Sequence, residues 1–445
     1  MARFLFTTFE GGGHVPPALL AAQELMARGH DVLVVSDPYN SAAAAEKHLP
    51  FTPWRRAPRR VAAAQVDDPM DDWKSRWPPA VVRRLCDGVI TGPALAYAMD
   101  VMEIAREFSP DVIVSQELLF GSIMAAEKMS IPVALLTANL WCYPTRTDVP
   151  PFGPGFGLAE SRGDEGRDRV VRGMVRSFFD AGLPALNHAR LAIGLPEVQH
   201  TLDQLAAVER VILGVSMAFD FARQEAPAGF VYAGPLYETP SWAGDDVPFP
   251  ENGRPNVLIS FSTTFQNQRA VLVRCMKAAA SLPINAIVTL GPAMSREGLP
   301  VSDNLKVVLQ GSHDLIVPKC QAVLCHGGHG TVLRPLRHGV PVVAIPMGRD
   351  HADNAVRLEW KKAGRRLSER ASVKRIANTL WRVVNEPSYR DAARRMQSEL
   401  DQPQESIDRA AAAVLELVPT RAPCSQQEDL PSTTRAPFAE QAAPR

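Results

Sequence analysis

The run Cys325-His-Gly-Gly-His-Gly-Thr331 ends an apolar stretch, Ala322–Leu324, and opens one with helix-like spacing. Glycines let a backbone come close to phosphate, and the free N–H groups of a helix start attract its charge. His326, Gly327, Gly328, His329, Gly330 and Thr331 are therefore candidate diphosphate contacts, and Ser262, Thr263 and Thr264 add hydroxyls behind another apolar run. A further apolar strand ends at Pro346. The loop behind it, Asp350-His351-Ala-Asp-Asn354, offers acceptors and donors suited to sugar hydroxyls. Together these segments describe a pocket for a nucleotide sugar. Hydroxyls, amides and a helix end can hold two phosphates without a metal. The sequence contains no Asp-x-Asp pair to bind one.

The other reactive cluster is Glu10-Gly-Gly-Gly-His14-Val-Pro16, at the carboxyl end of the first expected strand, where doubly wound sheets place their ligands. An imidazole there can exchange a proton near neutral pH and act as a general base. The same position also suits a histidine that caps or packs on the next helix. Gly11-x-Gly13 with Asp37 as a ribose acid would begin a dinucleotide fingerprint and an NAD-type oxidoreductase. Pro16 holds the third glycine position, lacks an N–H and alters the helix entry, so that reading is secondary.

Both clusters need rigid strand ends behind them. Residues 3–8, 32–35, 112–114 and 133–136 are short apolar runs, separated by helical spacing at 17–28, 39–48 and 121–129. Such alternation predicts a parallel sheet covered on both faces. It restarts after Leu236–Pro255, a stretch rich in Pro, Gly and acidic residues. The second half is expected to run through strands 257–261, 285–289, 305–308, 322–325 and 341–345. Its expected helices are 267–281, 331–338, 353–362, 372–385 and 388–415, with Lys361–Arg366 as an exposed helix end. Segments 50–82 and 139–180 look too irregular for core elements. The expected fold is α/β, with two doubly wound Rossmann-like domains facing a cleft. They would be residues 1–235 and 256–385, joined by a linker at 236–255. A C-terminal helix at 386–418 would cross back to the first domain, and 419–445 would be a disordered tail.

The 445 residues, 46% of them hydrophobic, can bury two cores. Equal numbers of basic and acidic side chains, 48 each, argue against a nucleic-acid or anionic-membrane partner. Six scattered cysteines form no C-x-x-C pair, which argues against disulfides and zinc. No signal-like segment and no apolar run near ~18 residues is present, so a cytoplasmic protein is expected.

The motifs over Val323–Ala355, Gly11–Pro17 and Ser260–Gln266 resemble the signature of two-domain (GT-B) nucleotide-sugar glycosyltransferases. The likeness is greatest to the bacterial members of the UDP-glycosyltransferase superfamily that act on macrolides and other natural products. The resemblance implies that the first half binds the acceptor and the second half a UDP- or dTDP-sugar, with no other cofactor. It also implies an inverting displacement with His14 as the base. Relatives hold that ring with a carboxylate. Here Gln116 stands at its place and Glu117 beside it, so either Glu117 serves through a one-residue shift or Gln116 orients the ring without stabilising its charge. Where relatives stack a tryptophan on the base, this chain has Gln310-Gly311-Ser-His313, whose backbone can still read a pyrimidine edge. Arg334 replaces a ribose-binding glutamate. Asp350 matches the residue that accepts from sugar hydroxyls, and His351 replaces its usual glutamine neighbour.

The aromatics and prolines of 50–82 and 139–180 point to a hydrophobic small-molecule acceptor, with Trp141 and Phe152 as candidate contacts. The same residues equally suit the core of the first domain. Two other functions fit the sequence: a nucleotide-sugar epimerase on the same fold, and a non-catalytic nucleotide-sugar-binding partner of a true transferase. The replacements at Gln116, Gln310 and Arg334 are what favour the last.

Overall fold

The computed structural model describes residues 1–419 except 63–67, 69, 71, 76, 222–224, 239–243, 245, 262–266 and 292–293. Ser262, Thr263 and Thr264, part of the expected linker and nearly all of the expected tail lie outside the described residues. The first sheet comprises β1 (Arg3–Thr7), β2 (Asp31–Ser36), β3 (Phe51–Pro53), β4 (Val112–Gln116), β5 (Val133–Thr137), β6 (Arg210–Leu213) and β7 (Phe230–Tyr232). The second comprises β8 (Asn256–Ser260), β9 (Asn285–Thr289), β10 (Leu305–Val308), β11 (Ala322–Cys325), β12 (Val342–Ala344) and β13 (Gly364–Arg366). Their strand orders are 3-2-1-4-5-6-7 and 10-9-8-11-12-13. Every pairing is parallel.

Around the first sheet lie α1 (Val15–Ala27), α2 (Ser41–Glu46), α3 (Pro78–Leu85), α4 (Ala94–Phe108), α5 (Phe120–Met129), α6 (Arg162–Phe179) and α7 (Leu183–Ala192). The second half adds α8 (Arg269–Ala280), α9 (His313–Ile316), α10 (His329–Arg337), α11 (His351–Trp360), α12 (Val373–Asn385), α13 (Pro387–Glu399) and α14 (Pro403–Leu415). No described helix is long and apolar enough to cross a membrane. Central strands such as β4, β5 and β9 are buried at every residue, because helices cover both faces of the sheet.

Each sheet reverses its winding once, and that reversal locates the chemistry. In the first sheet it falls between β1 and β4, with Thr7 opposite Ser115, so the loop after β1 and the end of β4 lie side by side. In the second it falls between β8 and β11, with Ser260 opposite Cys325. Loops at such reversals splay apart and leave a crevice at the carboxyl ends of the strands.

Several expectations need correction. Residues 388–415 are two helices, because Pro403 cannot donate into a continuing helix and holds Gln402 extended, at φ −73° and ψ 151°. The second of them, α14, packs on α1: Asp408 pairs with Arg28 at 2.9 Å, and Ala410, Ala411 and Val414 join the core beneath the first sheet. Gly364–Arg366 is an edge strand rather than a helix end. Gly364 permits it, since a Cβ there would lie 1.9 Å from the Val342 carbonyl oxygen. The segments read as irregular do contribute to the core. Trp54, next to β3, is wholly buried and donates Nε1–H to the Thr8 carbonyl at 3.0 Å. Helix α6 starts on a reciprocal cap between Ser161 and Asp164, which satisfies N–H groups that an unaided helix start leaves open.

The two halves meet along a seam where a polar network lies beside apolar packing of Val149, Phe221 and Val356. The Arg357 guanidinium reaches across to Asp220 (Nε 2.8 Å, Nη2 2.7 Å) and lies over the Phe221 ring at 4.4 Å. The other Asp220 oxygen accepts from Tyr232 at 2.5 Å, and Tyr232 in turn accepts from Arg146 at 2.8 Å. Burial alone would raise the Asp220 pKa, but the Arg357 charge and the Tyr232 hydroxyl overrule it and hold the carboxyl below its ordinary range. Beside this pair, Asp353 accepts from the Gly153 N–H at 2.8 Å and Arg366 donates to the Gly155 carbonyl at 3.0 Å. The proline- and glycine-rich loop is thus strapped to α11 through Asp353 and to β13 through Arg366.

Arg357→Ala should therefore leave Asp220 with one charge partner fewer and destabilise the chain by about 3–5 kcal/mol. Urea unfolding checks this, and a loss under about 1 kcal/mol would show that the pair contributes no more than an exposed one. Asp353 behaves differently, because burial pushes its carboxyl up to about 7 against the opposing pull of Arg357 and the Gly153 N–H. A proton held more tightly in the folded state means stability should fall as pH rises from about 4 to about 7, then level off. Asp353→Asn should flatten that slope, and urea midpoints across this range for both chains measure the difference.

Candidate active site

His14 is the last residue before α1, and its side chain keeps 19% of its surface exposed, so the ring is not a core residue. Nδ1 stands 3.5 Å from Glu117 Oε1. That separation is loose for a hydrogen bond and of the kind that tightens when substrate closes a site. Burial of the ring works against a positive charge, yet Glu117 more than offsets it and His14 ends with a raised pKa. The charges of Arg349 and Asp350, from the second half, also act on this ring.

The two candidates for holding His14 are therefore separated by geometry. Gln116 faces the other way: its Oε1 accepts from the Thr8 hydroxyl at 2.9 Å and the Phe9 N–H at 3.1 Å. Gln116 fixes the turn that carries the histidine, while Glu117 faces the ring. A period-two strand explains this, because neighbouring residues at its end point to opposite sides. Glu117 is itself fixed by the Tyr143 hydroxyl, which donates to its backbone carbonyl at 2.9 Å.

Asp37, the alternative ribose acid, is already occupied. Its oxygens accept from the backbone N–H groups of Glu10 (2.6 Å) and Arg60 (2.5 Å), so it braces the glycine loop. Nothing in this arrangement favours a dinucleotide.

Across the seam, His326, Gly327 and Gly328 turn from β11 into α10. A Cβ on Gly328 would lie 2.4 Å from His326 Nε2, so glycine is what lets this imidazole fold back over the turn. His326 is buried, its Nδ1 has no partner, and its ring meets His351 edge-on at 4.6 Å. Burial first, then the neighbouring His351, drives its pKa well down, so the ring is neutral. Thr331 donates its hydroxyl to the Gly328 carbonyl at 2.8 Å, and Gly330 lies exposed in the first turn of α10. His351 accepts at Nδ1 from the Met347 N–H at 3.3 Å.

Asp350 is the junction of the site. Its Oδ2 accepts from Asn354 Nδ2 (2.7 Å), from Asn139 Nδ2 in the first half (3.1 Å) and from the His329 N–H (3.3 Å). Gln310 is exposed, Gly311 is buried, and His313 meets the Thr289 hydroxyl at 3.1 Å. Burial and Arg334 lower the His313 pKa to about 4, leaving a neutral ring beside the β9 end. Arg334 points elsewhere: it pairs with Asp314 at 3.2 Å and covers the Tyr237 ring.

Trp141 packs edge-on against Tyr143 and Phe230 and donates Nε1–H to Thr145 at 2.7 Å. With Phe152 it lines a small crevice at the seam beside Asp220 and Arg357. Sequence reasoning missed Asn139 and named Asn354 only as part of the loop after β12. Asn139 lies just beyond the end of β5, where the same strand-end rule that singled out His14 could have found it. Among the described residues, no group of three or more His, Cys, Asp or Glu side chains could hold a metal ion.

The family described as UDP-glucoronosyl and UDP-glucosyl transferase matches residues 311–418, the stretch that carries the β11 turn, Asp350 and the closing helices. Over 422 residues the chain is 27% identical to 4'-demethylrebeccamycin synthase of Lentzea aerocolonigenes, covering 89% of this chain and 95% of that protein. Over residues 311–418 the chain thus resembles the UDP-glycosyltransferase superfamily. Its fold matches the glycotransferase of kitacinnamycin with a TM-score of 0.72 at 18% identity, over 94% of this chain and 99% of that one. It also matches glycosyltransferase VinC, solved with dTDP, with a TM-score of 0.65 at 20% identity, over 93% and 100% of the two chains. The chain is thus an α/β glycosyltransferase of the GT-B fold.

The pairing of His14 with Glu117 makes a prediction about pH. Were His14 the base, it would have to be neutral to act, and its raised pKa would put the acidic limb of kcat/KM above the ordinary histidine value of about 6.5. Glu117→Gln removes the charge that raises it. The limb should move to lower pH and the plateau should drop, since the imidazolium formed on proton transfer loses its counter-ion. A limb that stays in place would separate Glu117 from the base.

Proposed function

We propose that this transferase moves a sugar from a UDP- or dTDP-sugar to a nucleophilic group, a hydroxyl in the first instance, on a hydrophobic natural product. His14 would act as the base and the anomeric configuration would invert. The observation that carries this reading is the His14–Glu117 pair at the reversal of one sheet, close enough to the other half for Asp350 to act on its ring.

In this reading His14 Nε2 takes the acceptor proton as the acceptor oxygen attacks the anomeric carbon from the face opposite the diphosphate. Glu117 holds Nδ1 and offsets the charge that appears on the ring. The departing diphosphate gathers negative charge, and the N–H groups at the start of α10 stand where helix ends stabilise anions. Asp350 has an acceptor oxygen directed to sugar hydroxyls once Asn139 and Asn354 fix its plane. Ser262, Thr263 and Thr264 would complete the phosphate contacts, and the backbone at Gly311 and His313 would face the base.

The dTDP bound to VinC supports a pyrimidine nucleotide, and the rebeccamycin relative supports a natural-product acceptor. Trp141 and Phe152 support the acceptor side from the seam crevice rather than from an open pocket. The same placement supports assigning the donor to the second half and the acceptor to the first.

His14→Ala should lower the transfer kcat by about 10²–10⁴-fold while leaving UDP and dTDP affinity unchanged. Steady-state kinetics with calorimetry of nucleotide binding tests this, and proton NMR of the product reads the anomeric configuration. Unchanged turnover in the variant, or retained configuration, would remove His14 from the mechanism.

A further inference from the structure

His329 does something that its place in a phosphate-binding turn does not require. It is the first residue of α10, and its side chain leaves the second half altogether: Nε2 lies 2.9 Å from the Gly214 carbonyl oxygen. A carbonyl only accepts, so Nε2 carries the hydrogen and donates. The ring is buried and edge-on to Phe219 at 6.4 Å. Burial first, and Arg357 after it, lower its pKa despite Asp350, Gly214 and Asn354, so the ring stays the neutral Nε2–H tautomer near neutral pH.

The carbonyl it reaches is rigid. Gly214 follows β6 and donates its N–H to the Thr137 carbonyl at 3.0 Å. A Cβ on Gly214 would lie 2.6 Å from that carbonyl oxygen and 2.9 Å from that of Ala138, so the two strand ends are in close contact. Asn139 comes next in the chain and donates to Asp350 at 3.1 Å, and Asp350 accepts from the His329 N–H at 3.3 Å. The hydrogen bonds close a circuit: α10 start to Gly214, to the β5 end, to Asn139, to Asp350, and back to the α10 start. One side of it belongs to each half.

We propose that His329 is a positioning residue that latches the diphosphate-holding turn to the acceptor-facing half, so that seating the leaving group and closing the cleft are one event. This rests on the donor reading of the second half given above. With the latch formed, the helix start that stabilises the diphosphate stands at a fixed distance from the His14 base. Without it, nucleotide binds as before, but the activated sugar meets water more often than the acceptor. Displacements of about 1 Å cost up to about 10²-fold in rate, so one lost bridge has a kinetic signature out of proportion to its size.

Three variants separate the latch from packing. His329→Leu fills the volume without a donor, His329→Gln keeps a donor N–H, and Asn139→Ala removes the second bridge. In His329→Leu the affinity for UDP and dTDP should stay within roughly threefold of wild type while the transfer kcat falls roughly tenfold or more. The ratio of donor hydrolysis to transfer should rise several-fold, and small-angle scattering should show a larger radius of gyration. His329→Gln should recover part of each loss, and Asn139→Ala should shift the hydrolysis ratio in the same direction as His329→Leu.

Weaker nucleotide binding with unchanged kcat would make the ring a phosphate ligand and overturn the latch. Equal losses in the Leu and Gln variants would make it a packing residue and overturn it too. If wild type binds neither UDP nor dTDP, the donor reading fails. The scattering comparison of wild type with His329→Leu still decides whether the ring holds the halves together, and an unchanged radius would overturn the latch by itself.

Discussion

One carboxylate oxygen, Oδ2 of Asp350, takes N–H donors from Asn354, Asn139 and the His329 backbone, and the candidate site is organised around it. A buried carboxylate is costly unless its lone pairs are met, and here the donors come from both halves of the chain. The consequence is mechanical as well as electrostatic. Meeting the hydrogen-bonding needs of Asp350 brings the end of β5 in one sheet to the start of α10 in the other. The glycine turn before α10, the loop that carries Asp350 and the loop after β5 are then parts of one polar assembly. His14 lies close enough to it for the charge of Asp350 to act on the ring.

The rest of the seam follows the same rule on a larger scale. Arg357 and Asp220 are both buried, and each would be untenable alone; together with Tyr232 and Arg146 they form a satisfied network. The loop carrying Gly153 and Gly155 adds backbone groups to Asp353 and Arg366. These contacts are directional, and Val149 and Phe221 of the first half pack on Val356 of the second beside them, so the seam fixes orientation through its polar groups and excludes water through its apolar ones.

Much of the site was legible in the sequence because strand ends are where parallel sheets expose backbone and side chains. The apolar runs marked β1, β4, β11 and β12, and the reactive residues stood directly behind them: His14, Glu117, His326 and Asp350. Less legible was what lay between. Residues 50–82 and 139–180 looked irregular because short edge strands and amphipathic helices rich in arginine, such as α6, carry little apolar periodicity. The break between α13 and α14 was marked by Pro403, a local signal that the helical composition on either side outweighed.

What the sequence determined by itself was the pair of doubly wound sheets and the residues at their carboxyl ends, since strand burial and glycine-rich turns are local properties of the chain. Only the tertiary structure decided which of those residues meet. The choice of Glu117 over Gln116 depends on which way each side chain leaves the end of β4. The recruitment of Asp37 to brace a loop, the packing of Trp141 at the seam and the reach of His329 to Gly214 each depend on a partner distant in sequence. Spacing along one chain cannot specify such a partner, because the distance between two strand ends is set by the order in which the strands pack.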